Sequence, residues 1–391
     1  MNTDSIAEFC SRVRENTGDH DLLFGLITDT HFEEKEDLRG YGANALSHLR
    51  DFAAAGRACG ARFLFHAGDL SNGNRPLAQT RREITLSTEA MRSSGLPALF
   101  AIGNHDDNTY FCRDNGPDGS HALSGIAWQH LVYPDGLPPG AVAAPGVGNC
   151  FYFDLPDWKI RLLVLNMIDL PLATGRDGKL KYFMINDHGF SKVQLEFVAH
   201  RALDLSVLPD SGKWSVLVLS HMSLGFLPNG GAMGTIFRAF QTGTRCRTGA
   251  ADVKPCPFSF DGHACFPSPA DPADLVHEVE ADFTIQGPHE LIAHLYGHEH
   301  LDIVRTGRGF LEVALLSSLC YQNSPQAPER QFGTSNEAAW NMVAIDRKQR
   351  QIKIFRYGAG HDLTLPFLPS RSRLSAESLP LPRAMSSIEI A

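Results

Sequence analysis

Short, nearly continuous apolar runs alternate with amphipathic stretches through the first half of the chain. The run at 22–28 is too short for a helix and is followed by polar residues, so it reads as a buried strand. A helical pattern follows at 43–59, a strand at 62–67, a helix at 77–94 and a strand at 98–102. Strand–helix–strand units of this kind build a sheet with helices on its faces. Ligands of such sheets gather beyond the carboxyl ends of the strands.

The second half is less regular. Residues 107–149 are rich in Gly and Pro, with one helical patch near Ile126. A hairpin is expected over 151–155 and 160–166, a helix over 192–205, a strand over 214–219 and a further helix over 229–240. Between 241 and 282 the pattern dissolves into Gly, Pro, Cys and Asp, and this stretch reads as a surface insertion. Short apolar runs at 291–296, 303–305, 310–316, 340–345 and 352–357 have no helix between them and predict an antiparallel sheet edge. The domain plan is an amphipathic helix over 1–20, one domain over 21–360 with insertions at 107–149 and 241–282, and a Pro/Ser-rich tail over 361–391.

Composition narrows the setting. The chain has 391 residues, 43% of them hydrophobic and 20% charged, as in globular proteins. A net charge of −9 argues against a broad nucleic-acid surface, which needs clustered Lys and Arg. No apolar run approaches the ~20 residues that span a bilayer. The first 21 residues carry charge throughout and lack an apolar signal core, so the expected location is cytoplasmic. Eight Cys without an export signal make a disulfide framework an unlikely reading of this chain. Cys246, Cys256, His263 and Cys265 share one Pro/Gly-rich stretch, but without the close C-x2-4-C pairs of common zinc sites.

The chemistry lies in five strings, each just past an apolar run: Asp29-Thr30-His31, Gly68-Asp69, Gly103-Asn104-His105-Asp106, Ser220-His221 and Gly297-His298-Glu299-His300. Together they offer seven oxygen or imidazole ligands: Asp29, His31, Asp69, Asn104, His221, His298 and His300. Asp69 is the natural bridge, because a carboxylate can serve two cations. Mixed N/O ligation suits Mn, Fe, Zn or Co better than Ca. Two such ions about 3.5–4 Å apart clamp the attacking and leaving oxygens of a phosphoryl transfer. Asp106 either orients an imidazole or ends a turn. His66 is expected to be structural, pointing away from the side that Asp69 uses.

In order and residue type the five strings resemble the calcineurin-like metallophosphoesterase superfamily, over roughly residues 22–357. The resemblance implies an α/β fold, a two-sheet β-sandwich flanked by helices in four layers. It implies two divalent metal ions per chain, with Asp29, His31 and His300 on the first, Asn104, His221 and His298 on the second, and Asp69 between them. His105 would then face the substrate, stabilise charge on the phosphoryl oxygens and protonate the leaving alkoxide, with Asp106 as the second catalytic residue. The reaction implied is in-line attack of a metal-bridging hydroxide on a phosphodiester or phosphomonoester, the diester being favoured. The partner is a small phosphate ester.

Departures within the superfamily narrow the branch. Purple acid phosphatases place a Tyr three residues after the bridging Asp, where this chain has Asn72. Protein Ser/Thr phosphatases continue Gly-Asp with Asp-Arg-Gly, where this chain has Leu70, Ser71 and Asn72. The chain looks more like bacterial phosphodiesterase-type members. Two alternatives stand beside that reading: a nuclease of the same superfamily, for which Arg238, Arg245, Arg247 and Lys254 could supply a local basic face, and a non-catalytic scaffold that retains the fold. Tyr110, Phe111, His121, Phe226, Phe237 and His263 either line a substrate pocket or pack the loops.

Overall fold

A computed structural model describes residues 3–254, 259–260, 263–264, 271–321 and 324–368. In chain order the elements are α1 (Thr3–Glu15), β1 (Leu22–Ile27), α2 (Ala45–Cys59), β2 (Leu64–His66), α3 (Leu77–Arg92), β3 (Ala98–Phe100), α4 (Thr109–Asn115), α5 (Gly125–Val132), β4 (Val142–Ala143), β5 (Phe151–Leu155) and β6 (Ile160–Val164). There follow α6 (Lys192–Phe197), β7 (Ser215–Leu219), α7 (Gly230–Thr242), β8 (Arg245–Arg247), β9 (Ser259–Phe260), β10 (His263–Ala264) and α8 (Pro272–Leu275). The last are β11 (Glu280–Asp282), β12 (Glu290–Tyr296), β13 (Ile303–Arg305), β14 (Glu312–Ala314), β15 (Ala339–Asp346), β16 (Gln351–Gly358) and β17 (Leu363–Pro366).

The protein has an α/β fold of two mixed sheets flanked by helices. The first sheet runs β17-β16-β15-β1-β2-β3 and the second β13-β14-β12-β7-β6-β5-β4. In the first, β1, β2 and β3 are parallel, and β15 closes antiparallel on β1. In the second, β6, β7, β12 and β14 are parallel. Parallel strands buried on both faces read as continuous apolar runs, and β1, β6 and β7 are buried at every position. One core joins the sheets, with rings in line from Phe24 through Phe63 to Phe153.

Helix α2 buries His48, Leu49, Phe52, Ala53, Ala55, Gly56 and Cys59, spaced at three and four residues as one helical face demands. Its C-terminus stops at Gly60 in the left-handed conformation. Helix α1 sets Phe9 edge-on against Trp340 and Tyr357, with ring centroids 5.1 and 5.6 Å apart, and so covers β15 and β16.

Two expectations change here. The runs between 291 and 357 do not form one antiparallel edge. β12 and β14 are parallel members of the second sheet, while β15 and β16 extend the first. The stretch from residue 361 also begins as a strand, β17, paired with β16 and held by buried Leu365 and Phe367. The expected helix over 192–205 is α6 followed by a π-turn at Val198–Ala202. Cys256 and Cys265 lie outside the described residues, and His263 falls in β10. Among the described residues no helix is long and apolar enough to cross a membrane.

Candidate metal centre

Past its last residue, β1 continues alongside the segment after β2. The N–H groups of Asp29, His31 and Phe32 donate to the carbonyls of Gly68, Asp69 and Leu70 at 3.1, 2.9 and 2.8 Å. Within the second sheet Gly297 N–H donates to His221 O at 2.9 Å, and that sheet meets the pair where His298 N–H donates to Asp29 Oδ2 at 2.9 Å. A side chain at Gly297 has no room there. Its Cβ would lie 1.8 Å from Thr28 Oγ1 and 2.4 Å from Asp29 Oδ2. At Gly103 a Cβ would lie 2.1 Å from Asp69 Oδ1. Glycine before a ligand is thus what lets two loops close on the same point.

The structure brings all seven predicted ligands together. His31 Nε2 lies 3.2 Å from His300 Nε2 and 3.5 Å from Asp69 Oδ2, and His300 Nε2 lies 3.3 Å from Asp29 Oδ1. On the other side His221 Nε2 lies 3.2 Å from Asp69 Oδ2 and 2.9 Å from Asn104 Oδ1, and His298 Nδ1 lies 3.0 Å from Asn104 Oδ1. Asp69 Oδ2 therefore sits between the two groups. Metal bonds of about 2.0–2.2 Å to N and O place neighbouring ligands roughly 3.0–3.6 Å apart, and the spacings here run from 2.9 to 3.5 Å. Asp29–His31–His300, His31–Asp69–His105 and Asp69–His221–His298 each have ligand atoms close enough to share one ion.

The donor chemistry makes the same point. His221 Nδ1 is 2.7 Å from Ala67 O, which can only accept, so Nδ1 carries the hydrogen. The Nε2 lone pair of the neutral ring then faces the oxygens of Asp69 and Asn104, and three acceptors confront one another. Asn104 cannot turn its amide inward, because Nδ2 donates to Ile185 O at 3.2 Å. Only positive charge reconciles these groups. Burial disfavours the His221 cation, but the Asp69 carboxylate outweighs burial and pushes its pKa up to about 9. A divalent cation between the oxygens supplies the same compensation. His31, with burial as the main cause, is held down to about 3 and presents a neutral imidazole.

Backbone strain is concentrated here. Asp29, His31, Asp69, His298 and His300 all have φ between 43° and 66°. Each left-handed non-glycine residue costs of order 1–2 kcal/mol, and such strain gathers where a site over-determines it.

His105 turns Nδ1 to Asn72 O at 2.8 Å and its backbone N–H to Asp69 Oδ1 at 3.0 Å. That leaves Nε2 as the atom it can present to a substrate. Asp106 differs from the expectation. Its carboxylate accepts the N–H groups of Asp69, Leu70, Ser71 and Gly103 at 2.8–3.2 Å, so it ties two ligand loops together and meets no imidazole. His66 is structural, accepting Gly68 N–H at 3.2 Å and paired with Thr30 Oγ1 at 3.0 Å.

Of the expected pocket residues, Phe226 lies edge-on to the His298 ring at 4.7 Å and Tyr110 edge-on to His105 at 5.7 Å. Phe111 and His121 pack on each other, and Phe237 is core, against Phe310. Of the four residues of the local basic face, Arg245 and Arg247 pair with Asp282 and Glu278. Sequence reading missed His188, buried with its ring 6.0 Å from His298, and Glu33, a buried carboxylate that accepts from Asn72 and Asn74. Glu33 lies two residues past His31, a position no motif marks, and His188 sits in a loop with no pattern.

No family model and no curated protein matches the chain. Solved structures do. A dimetal phosphatase from Danio rerio is 14% identical, with 88% of this chain and 99% of that one covered and a TM-score of 0.48. A purple acid phosphatase from yellow lupin seeds is 13% identical, covering 94% of this chain and 57% of that one, with a TM-score of 0.43. The phosphopantetheinyl hydrolase from Mycobacterium tuberculosis is 11% identical, covering 77% and 91%, with a TM-score of 0.36.

Proposed function

We propose that the protein is a dinuclear-metal-dependent phosphoester hydrolase that prefers diesters. The observation that carries this reading is the position of Asp69 Oδ2, 3.5 Å from His31 Nε2 and 3.2 Å from His221 Nε2, with a nitrogen and oxygen donor set on each side. Asp29, His31 and His300 hold one ion, Asn104, His221 and His298 the other, and Asp69 serves both. When bound, two such ions lower the pKa of water and neutralise charge on the phosphoryl oxygens. Mn, Fe, Zn and Co all suit this mixed set.

The chain's own residues supply the rest. His105, locked by its bond to Asn72 O, holds a proton at Nε2 for the leaving alkoxide. Asp106 keeps the Asp69 and Asn104 loops in register through four amide bonds, and so acts by positioning. Burial of the ligands keeps water from competing for the charges. The test is turnover of bis-p-nitrophenyl phosphate and p-nitrophenyl phosphate by the full chain supplied in turn with Mn, Fe, Zn and Co. Hydrolysis abolished by a chelator, and faster with the diester, is expected. No turnover with any of the four metals overturns the reading, and a faster monoester overturns the diester preference.

A further inference from the structure

A cavity of about 360 Å³, lined by none of the seven ligands themselves, opens among segments that adjoin the metal-ligand loops, a size usual for small-molecule pockets. Asn166, Ile168 and Asp169, just past the carboxyl end of β6, form one wall. Strand β6 is the neighbour of β7, which delivers His221, and adjacent strands lie about 4.8 Å apart. Asp107, three residues after Asn104, and Met184 line it as well. Met184 precedes Ile185, whose carbonyl orients Asn104. The cavity is therefore bounded by the segments that build the second metal group.

Its lining is mainly apolar, with two carboxylates, Asp107 and Asp169, set among Leu123, Val147, Ile168 and Leu170. Asp107 is only 3% exposed. Its Oδ1 accepts from Thr109 N–H and Oγ1 at 2.9 Å each, and Asp169 Oδ2 accepts from Ser191 N–H and Oγ and from Gln194 Nε2. Those donors are neutral. Among the described residues, no Lys, Arg or His forms an ion pair with either carboxylate. A buried carboxylate without a counter-charge is costly, and burial pushes both groups up, Asp107 to about 7 and Asp169 to about 6.

We propose that this cavity receives an ammonium group carried by the ester, so that the substrates are phosphodiesters of amino alcohols. The proposal rests on the hydrolase reading and names its substrate class. A protonated amine brings both the missing charge and the hydrogen-bond donors, and the apolar walls take the alkyl arm. An ethyl group brings neither, and a hydroxyl brings a donor without the charge.

The experiment compares 2-aminoethyl, 2-hydroxyethyl and ethyl p-nitrophenyl phosphates on the Mn-supplied full chain. A charge-assisted bond is worth about ten- to a hundredfold, so kcat/KM for the aminoethyl ester should exceed both others by at least about tenfold. Asp107→Asn should bring the three within about twofold of one another. Leu172→Trp, at a cavity position 39% exposed and so tolerant of change, should shrink the same ratio by filling the opening. Binding is read separately by titrating ethanolamine into metal-free protein calorimetrically, with binding expected in the unmodified chain and lost in Asp107→Asn. Equal rates for the three esters, or a preference that survives both substitutions, overturn the proposal while leaving the hydrolase reading intact. Ethanolamine binding that depends on Asp107, with no ester cleaved, sustains the cavity and overturns the hydrolase reading.

Discussion

Replacing Asp106 by Asn tests the clamp behind the metal loops without touching a ligand. Each carboxylate oxygen accepts two amides: Oδ2 those of Asp69 and Gly103, both at 2.9 Å, and Oδ1 those of Leu70 and Ser71, at 2.8 and 3.2 Å. Asn offers one oxygen, so two amides face a donor instead. A bond to a charged acceptor contributes about 1.5–3 kcal/mol, and losing two costs about 3–6 kcal/mol. Burial and the adjacent Asp69 charge push the Asp106 pKa up to about 8 in the metal-free protein, where it is largely protonated at pH 6.5 and Asn copies its charge. Cations on Asp69 would offset that repulsion and shift Asp106 toward its ionised form. Urea unfolding at pH 6.5 should therefore show a penalty of about 3–6 kcal/mol with Mn and a smaller one with chelator. By linkage the difference reappears as weakened Mn affinity. An equal penalty in both conditions, or one under about 1 kcal/mol with Mn, refutes the ionised clamp.

His105→Ala should lower kcat by about 10²–10⁴ while both ions stay bound, as general acid–base groups contribute that much; loss of metal on elemental analysis would reverse the role given to His105. Asp69→Ala should release both ions, and retention of either one at full occupancy contradicts a bridging carboxylate. Metal affinity should rise with pH: below about 9 the metal-free His221 carries a proton that the ion must displace, so affinity climbs by up to about tenfold per pH unit between 6 and 8. Calorimetry in buffers of different ionisation enthalpy detects that proton, and a flat profile contradicts it.

The metal ligands were legible because each follows a strand that reads as an apolar run. β1, β2, β3, β7 and β12 end within a few residues of Asp29, Asp69, Asn104, His221 and His298, and buried parallel strands leave little ambiguity. Which sheet a strand joins was less legible. β12 looks like β15 in composition, and only the chain's route decides that one pairs with β7 and the other with β1. β17 was hidden in a Pro/Ser-rich stretch, where Leu365 and Phe367 alone mark a buried side. The role of Asp106, read as orienting an imidazole or ending a turn, depends on contacts that sequence does not display. Asp106 faces backbone amides of two loops, and Asp107 faces a cavity, a difference set by tertiary contacts. Glu33 and His188 lack any motif, since what places them is the Asn72 amide in one case and the His298 ring in the other.

The most direct measurement is anomalous diffraction from a crystal of the full chain soaked in Mn. Two peaks about 3.5–4 Å apart should flank Asp69, one ringed by Asp29, His31 and His300 and the other by Asn104, His221 and His298. A single peak, or none within bonding distance of Asp69, would contradict a dinuclear centre.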